Sequence, residues 1–247
     1  MQSKQDIPWA RITIEATAII VSILVAFAID AWWEDRRERQ EERDYLSSLR
    51  QELIIGLDLL ANRESVHKEI IESHEDLINQ IQAEDRASDG SLLYMFSLLS
   101  RPTVVDLPRA VFDDLVSSGG TQLIRSDEIR IALAVYGRRL REFETDNDAA
   151  WATWEQRLQP YLEGRIPRRD RLLLGSFGRD RPSIDFSFGR SQHESDFDGV
   201  LADPVFEDML AERWLRVQAR SGRIRDLQKL MNEIVALINN ELSDVGP

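Results

Sequence analysis

Any chemistry in this chain must come from hydroxyls, carboxylates, arginines, three lysines and three histidines, because it contains no cysteine. The lack of thiols excludes disulfides, thiol catalysis and Cys-based metal sites. His67 and His74 lie seven residues apart in a helical pattern, which separates them by about 10 Å along the axis. A helical metal pair needs a spacing of four, so that both imidazoles meet one ion. The two histidines therefore read as half-buried packing residues, with a pH-sensitive seam as the sharper alternative. His193 stands near Glu194, Asp196 and Asp198, but one imidazole in an Asp/Ser loop is weak support for a metal. The segment "SSGGTQLI" (117–124) suggests a phosphate loop only superficially. A helical pattern precedes it and no lysine follows, so it reads as a turn between helices. Arg165, Arg168, Arg169, Arg171, Arg179 and Arg181 form a basic cluster in an acidic chain. They suit contact with anionic headgroups or an acidic partner, or internal pairing with the chain's own acids. No Ser-His-Asp set, paired carboxylate or nucleotide motif stands out. The expected catalytic, metal and cofactor-binding residues are none, and no cofactor is expected.

The elements that carry these residues are long helices. The 247-residue chain has only 12 glycines and 8 prolines, hence few turns. With 44 acidic against 31 basic residues, its formal charge of −13 argues against a nucleic-acid partner. Residues 12–29 read "ITIEATAIIVSILVAFAI", with Glu15 the one charge. Asp6 can cap and Pro8 can open this helix. From Pro8 to Ile29 it would be roughly 33 Å long, enough for a hydrocarbon core of about 30 Å. Trp9 would mark one interface, and Trp32 and Trp33 the other. A cleaved signal peptide would end in a small-x-small site; here the apolar run passes straight into Asp30, two Trp and a charged helix. Ala18, Ser22 and Ala26 recur every four residues, a spacing that lets another membrane helix approach.

Past the Trp pair, "EDRRERQEERDY" reads as a charged stalk helix, held by opposite charges one turn apart. Leu46, Leu49, Leu53, Gly56, Leu60, Arg63, His67, Ile70, His74, Leu77 and Ile81 then follow steps of three and four. This heptad seam is widened by Ile54, Ile55, Leu57, Leu59 and Ile71, which predicts a helix packed in a bundle. Leu92–Leu99 reads as a short helix. Pro108 can open another, carrying Val111, Phe112, Leu115 and Val116 and ended by Gly119-Gly120 with a positive-φ cap. Ser126 caps a helix bearing Ile129, Leu133, Tyr136, Leu140 and Phe143, which could extend to Trp151, Trp154, Leu158 and Tyr161. Residues 164–203 read as a long irregular loop. Asp203 and Pro204 start a last helix through Val205, Leu210, Trp214, Val217, Ile224, Leu227, Leu230, Met231, Ile234, Leu237 and Ile238, long enough to pair antiparallel with residues 45–84.

Two segments carry a resemblance. "VSILVAFAIDAWWEDRRERQEERDYLSSLRQEL" and "FDDLVSSGGTQLIRSDEIRIALAVYGRRL" resemble motifs of an uncharacterised family of bacterial single-pass membrane proteins, a domain of unknown function. In that family an anchor ends in an I-D-x-W-x-E-type motif. The C-terminal "LMNEIVALINNELS" is similar too. The chain departs from the pattern at Ser22, Trp33 and Gly137. The resemblance implies a membrane anchor and a helical soluble domain, and no activity. A literal Lys/Arg count places the C-terminal side in the cytoplasm, whereas a short N-terminus before an apolar run is the layout of a signal anchor. The basic N-terminus common in the family implies a periplasmic domain.

The expected architecture is mainly α. An N-terminal segment and transmembrane anchor (1–30) is continuous with a charged stalk (31–45), followed by an antiparallel bundle (46–247). The expected function is non-enzymatic: an inner-membrane scaffold or accessory subunit that binds another integral membrane protein, or its own copies. The alternative is a ligand sensor or enzyme with a polar pocket between helices.

Overall fold

The computed structural model describes residues 9–101, 103–174 and 189–244, with backbone alone for 9–16, 150 and 244. Lys4, Asp6, Pro8, Pro102, Arg179 and Arg181 lie outside the described residues, as do the side chains of Trp9, Arg11 and Glu15. Among the described residues every regular element is helical. Helix α1 runs from Trp9 to Gln82, 74 residues without a proline, which makes it about 110 Å long. The apolar run, the charged segment and the heptad region are thus one continuous rod. Then come α2 (Asp89–Leu99), α3 (Ala110–Ser117), α4 (Asp127–Thr153), α5 (Gln159–Leu162), α6 (Arg168–Leu174), α7 (Phe197–Leu201) and α8 (Pro204–Asp244).

The helix ends follow from local chemistry. The Ser88 hydroxyl accepts from Ser91 N–H to start α2. Gly119 takes φ +77 after α3, a left-handed position that glycine adopts without a Cβ penalty. The Ser126 hydroxyl accepts from Ile129 N–H at 3.3 Å. Asp203 accepts from Val205 N–H at 2.9 Å, and Pro204 opens α8. Helix α4 passes into a π-helical turn, Trp154–Leu158, just before Pro160. Proline removes one backbone donor and crowds the preceding turn, and the widened turn absorbs the fault.

Helix α8 lies antiparallel on α1. Arg50 donates to Asn239 at 3.0 Å, Trp214 Nε1 donates to Glu75 at 3.2 Å, and Ser221 meets His67 at 3.4 Å. A Cβ on Gly56 would come within 2.7 Å of Met231 Cε, so glycine permits this close approach. Two apolar cores result. One joins Leu46–Leu60 of α1 to α3, α4 and the C-terminal half of α8. The other joins Leu77 to α2, α5, α7, Trp154 and the start of α8.

The α1 seam is buried at Leu46, Leu49, Leu53, Gly56, Leu60, His67, Ile70, His74 and Leu77. Several residues expected to pack do not. Ile54 and Ile55 are exposed because they point away from α8, and so are Val116, Trp151 and Val205. Segment 164–203 is not wholly irregular, since α6 and α7 interrupt it. The charged segment joins the bundle at its far end. Arg37 pairs with Glu41 and Arg39 with Asp35 along the helix, but Glu42 turns inward and accepts from Arg125 N–H at 2.6 Å. Glu52 is buried and accepts from Val111 and Phe112 N–H at 2.7 and 3.1 Å. It caps α3, whose own N-cap Arg109 offers no side-chain acceptor. Glu52→Ala strands two donors at a helix N-terminus. It is expected to cost about 3 kcal/mol in urea denaturation.

Candidate functional site: a buried arginine and histidine layer

Between the two cores, the facing seams of α1 and α8 switch from apolar to basic. α1 contributes Arg63, His67 and His74; α8 contributes Arg213, Arg220 and Ser221. The α8 seam reads Phe206, Leu210, Arg213, Val217, Arg220, Ile224, Leu227 and Met231 in alternating steps of four and three. Arg213 and Arg220 therefore fill core positions of an otherwise apolar stripe, and they are 5% and 3% exposed. The rule that arginine faces water hides them from a search for apolar positions; the unbroken spacing is the signal that exposes them.

Each basic group is satisfied differently. The Thr103 carbonyl, which can only accept, lies 3.1 Å from His67 Nε2, so that nitrogen carries the proton and Nδ1 accepts from Ser221. His74 has the opposite tautomer, with Nδ1–H donating to the Ile70 carbonyl at 2.6 Å. Its Nε2 is buried without a partner. Burial, with smaller repulsion from nearby arginines, pushes His67 down to about 4 and His74 to about 3. Both rings are neutral at pH 7. Arg213 Nη2 donates to the Arg101 carbonyl at 3.1 Å, and its guanidinium lies 5.0 Å from the Trp154 ring centroid. The Arg220 guanidinium lies 4.8 Å from the Phe143 ring centroid, and its three nitrogens are buried without a hydrogen-bond partner. Burial lowers both arginines to about 10, so both remain charged at pH 7.

Beside this layer, α4 and α8 flank a half-open cavity of about 360 Å³. Arg216, Arg220 and Arg223 line it from successive turns of α8, with Ala149, Leu215 and Ala219 as apolar wall. Its two acids are already engaged: Asp146 pairs with Arg223, and Glu212 with Arg157 and Arg216.

Of the basic cluster near 165–181, the four described arginines do not share one surface. Arg165 is exposed, stacks 4.3 Å from the Tyr161 ring centroid and donates to the Tyr161 carbonyl. Arg168 and Arg169 are exposed on the first turn of α6. Arg171 is 1% exposed, which removes it from any partner or lipid surface. It donates to the Ile166 carbonyl, the Ser100 hydroxyl and Gln159 Oε1. Asp196 caps α7 and Asp198 pairs with Arg86, while His193 is exposed. No metal-holding group of His, Asp and Glu occurs among the described residues.

On the apolar part of α1, Ala18, Ser22 and Ala26 are exposed on one stripe, and the Ser22 hydroxyl donates to the Ala18 carbonyl at 2.8 Å. Trp32 and Trp33 are exposed and meet edge-to-face at 5.5 Å between ring centroids. Arg36 covers Trp32 at 5.7 Å. The backbone of Trp9 starts the helix. Ile19 to Ile29 includes eight large apolar side chains, all at least half exposed. The helix is long and apolar enough to cross a membrane, and none of its most apolar window is buried in the bundle.

Fold and site together define a helical protein built on one rod, with an uncovered apolar end and a basic layer inside its bundle. Comparison with protein-family models, curated proteins and solved structures yields no match.

Proposed function

We propose that the chain is a non-enzymatic, membrane-anchored scaffold or accessory subunit of the bacterial inner membrane, binding another integral membrane protein or further copies of itself. The carrying observation is the uncovered apolar end of α1. A run of Ile, Val, Leu and Phe with no packing partner in its own chain is unstable in water and stable in a bilayer. Trp32 and Trp33 then sit at the interface. The small-residue stripe of Ala18, Ser22 and Ala26 suits a second membrane helix. The exposed Arg168 suits contact with an acidic partner surface. Purification of the full chain in mild detergent tests this reading. A stoichiometric membrane partner or a defined homo-oligomer is expected, and a lone monomer overturns it.

The family resemblance supports a periplasmic bundle. With no native cysteine, one introduced thiol reports orientation. Ser47→Cys lies on an exposed position and is expected to react with a membrane-impermeant maleimide on intact spheroplasts. Labelling only after lysis would place the bundle in the cytoplasm.

A second reading has its own observation. The charged, unpartnered Arg220 beside a cavity favours a ligand-binding role for the bundle, as in an anchored sensor.

A further inference from the structure

We infer that the cavity between α4 and α8 binds a small organic oxyanion, a carboxylate or phosphate on a short apolar body, through the Arg220 guanidinium with Arg216 and Arg223 at its rim. The inference rests on the ligand-binding reading and gives it a chemical class. A buried guanidinium is costly unless paired, yet Arg220 is 3% exposed and none of its nitrogens has a hydrogen-bond partner. The charge that acts on it from within the layer, Arg63, adds repulsion rather than relief. The nearest cavity acids are engaged by Arg157, Arg216 and Arg223.

An oxyanion supplies what the site lacks, because a guanidinium fork matches a carboxylate or phosphate in geometry and charge. Arg220 shares with Arg216 and Arg223, which are paired with Glu212 and Asp146, a space of 360 Å³, which is within the range of small-molecule sites. Ala149, Leu215 and Ala219 line the rest, which suits an apolar body over a bare inorganic ion. In the structure the Arg220 nitrogens are shielded against Phe143. Binding therefore swings this one side chain from the ring into the cavity. The ligand is water-soluble rather than a lipid headgroup. The Ser221–His67 contact places the site about 34 residues beyond Trp33 on α1, roughly 50 Å along the helix.

Calorimetric titration of the full chain in neutral detergent, at constant ionic strength, tests the assignment. The probes are phenyl phosphate and benzoate, with chloride as reference. At least one probe is expected to bind with Kd below about 1 mM, and Arg220→Leu is expected to weaken it at least tenfold. If Arg220→Leu does not fold, Arg220→Lys, which keeps the charge and loses the fork, should show the same weakening. Probe binding no tighter than chloride overturns the site, and so does a folded variant that binds like wild type. Displacement of the probe by phosphatidylglycerol micelles overturns the soluble-anion assignment. A protein that binds neither probe yet keeps a stoichiometric partner loses this inference and retains the scaffold reading.

Discussion

Lowering the pH from 7.5 to 5 is expected to remove about 4 kcal/mol of stability, through His67 and His74 alone. Both rings have native values well below the ordinary 6.5, at about 4 and about 3. Above 6.5 each is neutral whether the chain is folded or unfolded, and neither affects stability. As pH falls through 6.5 the unfolded chain takes up protons that the folded chain refuses, so stability is lost. The loss continues to about pH 4 for His67 and about pH 3 for His74, then levels off. At pH 5 each contributes about 2 kcal/mol. His67 faces the Thr103 carbonyl, the Ser221 hydroxyl, Arg63, Arg213 and Arg220; His74 faces the Ile70 carbonyl and Arg213. No carboxylate is among these groups to stabilise an imidazolium. The carboxylates with lowered values, Asp35 beside Arg125 and Asp203 beside Tyr161, hold their contribution until pH approaches the ordinary 3.8, a separate window. Urea denaturation at pH 7.5, 6 and 5, followed by circular dichroism, reads the loss. The double variant His67→Gln, His74→Gln should flatten the profile; an equally steep profile in that variant would locate the titrating groups elsewhere.

The seam of α1 was legible because steric periodicity is local information. Steps of three and four put Leu46 through Leu77 on one face whatever the rest of the chain does. Caps were legible for the same reason, since Ser126, Gly119 and Asp203 act on backbone within three residues. Glu42 and Glu52 were not legible, because each carboxylate meets backbone donors far along the chain, at Arg125 and at Val111 and Phe112. Arg171 failed similarly: in sequence it sits among Arg168 and Arg169, and only the fold brings Ser100 and Gln159 to its guanidinium. Arg213 and Arg220 are different. Their seam spacing was present all along, and the assumption that core positions are apolar passed over them. Violations of such a pattern are where function concentrates, and here the violation borders the cavity.

Replacing Arg213 by Met should stabilise the protein by about 1–4 kcal/mol. Its guanidinium is buried and its value is pressed from 12.5 to about 10 by desolvation, a charge-burial cost of about 3 kcal/mol that applies in full at pH 7. Against this stand one hydrogen bond to the Arg101 carbonyl and the face of Trp154, together worth about 2 kcal/mol. Met follows a similar path between α1 and α8 without the charge and fills irregular gaps. Arg213→Ala separates charge from volume: it also removes the charge but leaves a void, and should be destabilising relative to Arg213→Met by about 2–4 kcal/mol. The midpoint of urea unfolding at pH 7.5 decides the order. A variant Arg213→Met weaker than wild type would mean that the carbonyl and ring contacts outweigh desolvation. The substitution also acts on the first prediction. Arg213 helps hold both histidines neutral, so its removal should raise their values; both rings are already neutral in the folded chain at pH 5, so the effect shows as an acid loss that levels off at a higher pH, between 5 and 3. A plateau at the same pH in Arg213→Met would leave the depressed values to burial, with Arg220 and Arg63 acting on His67. A plateau at higher pH would show that the layer is electrostatically coupled from α1 to α8, so that an anion bound at Arg220 is also felt at His67.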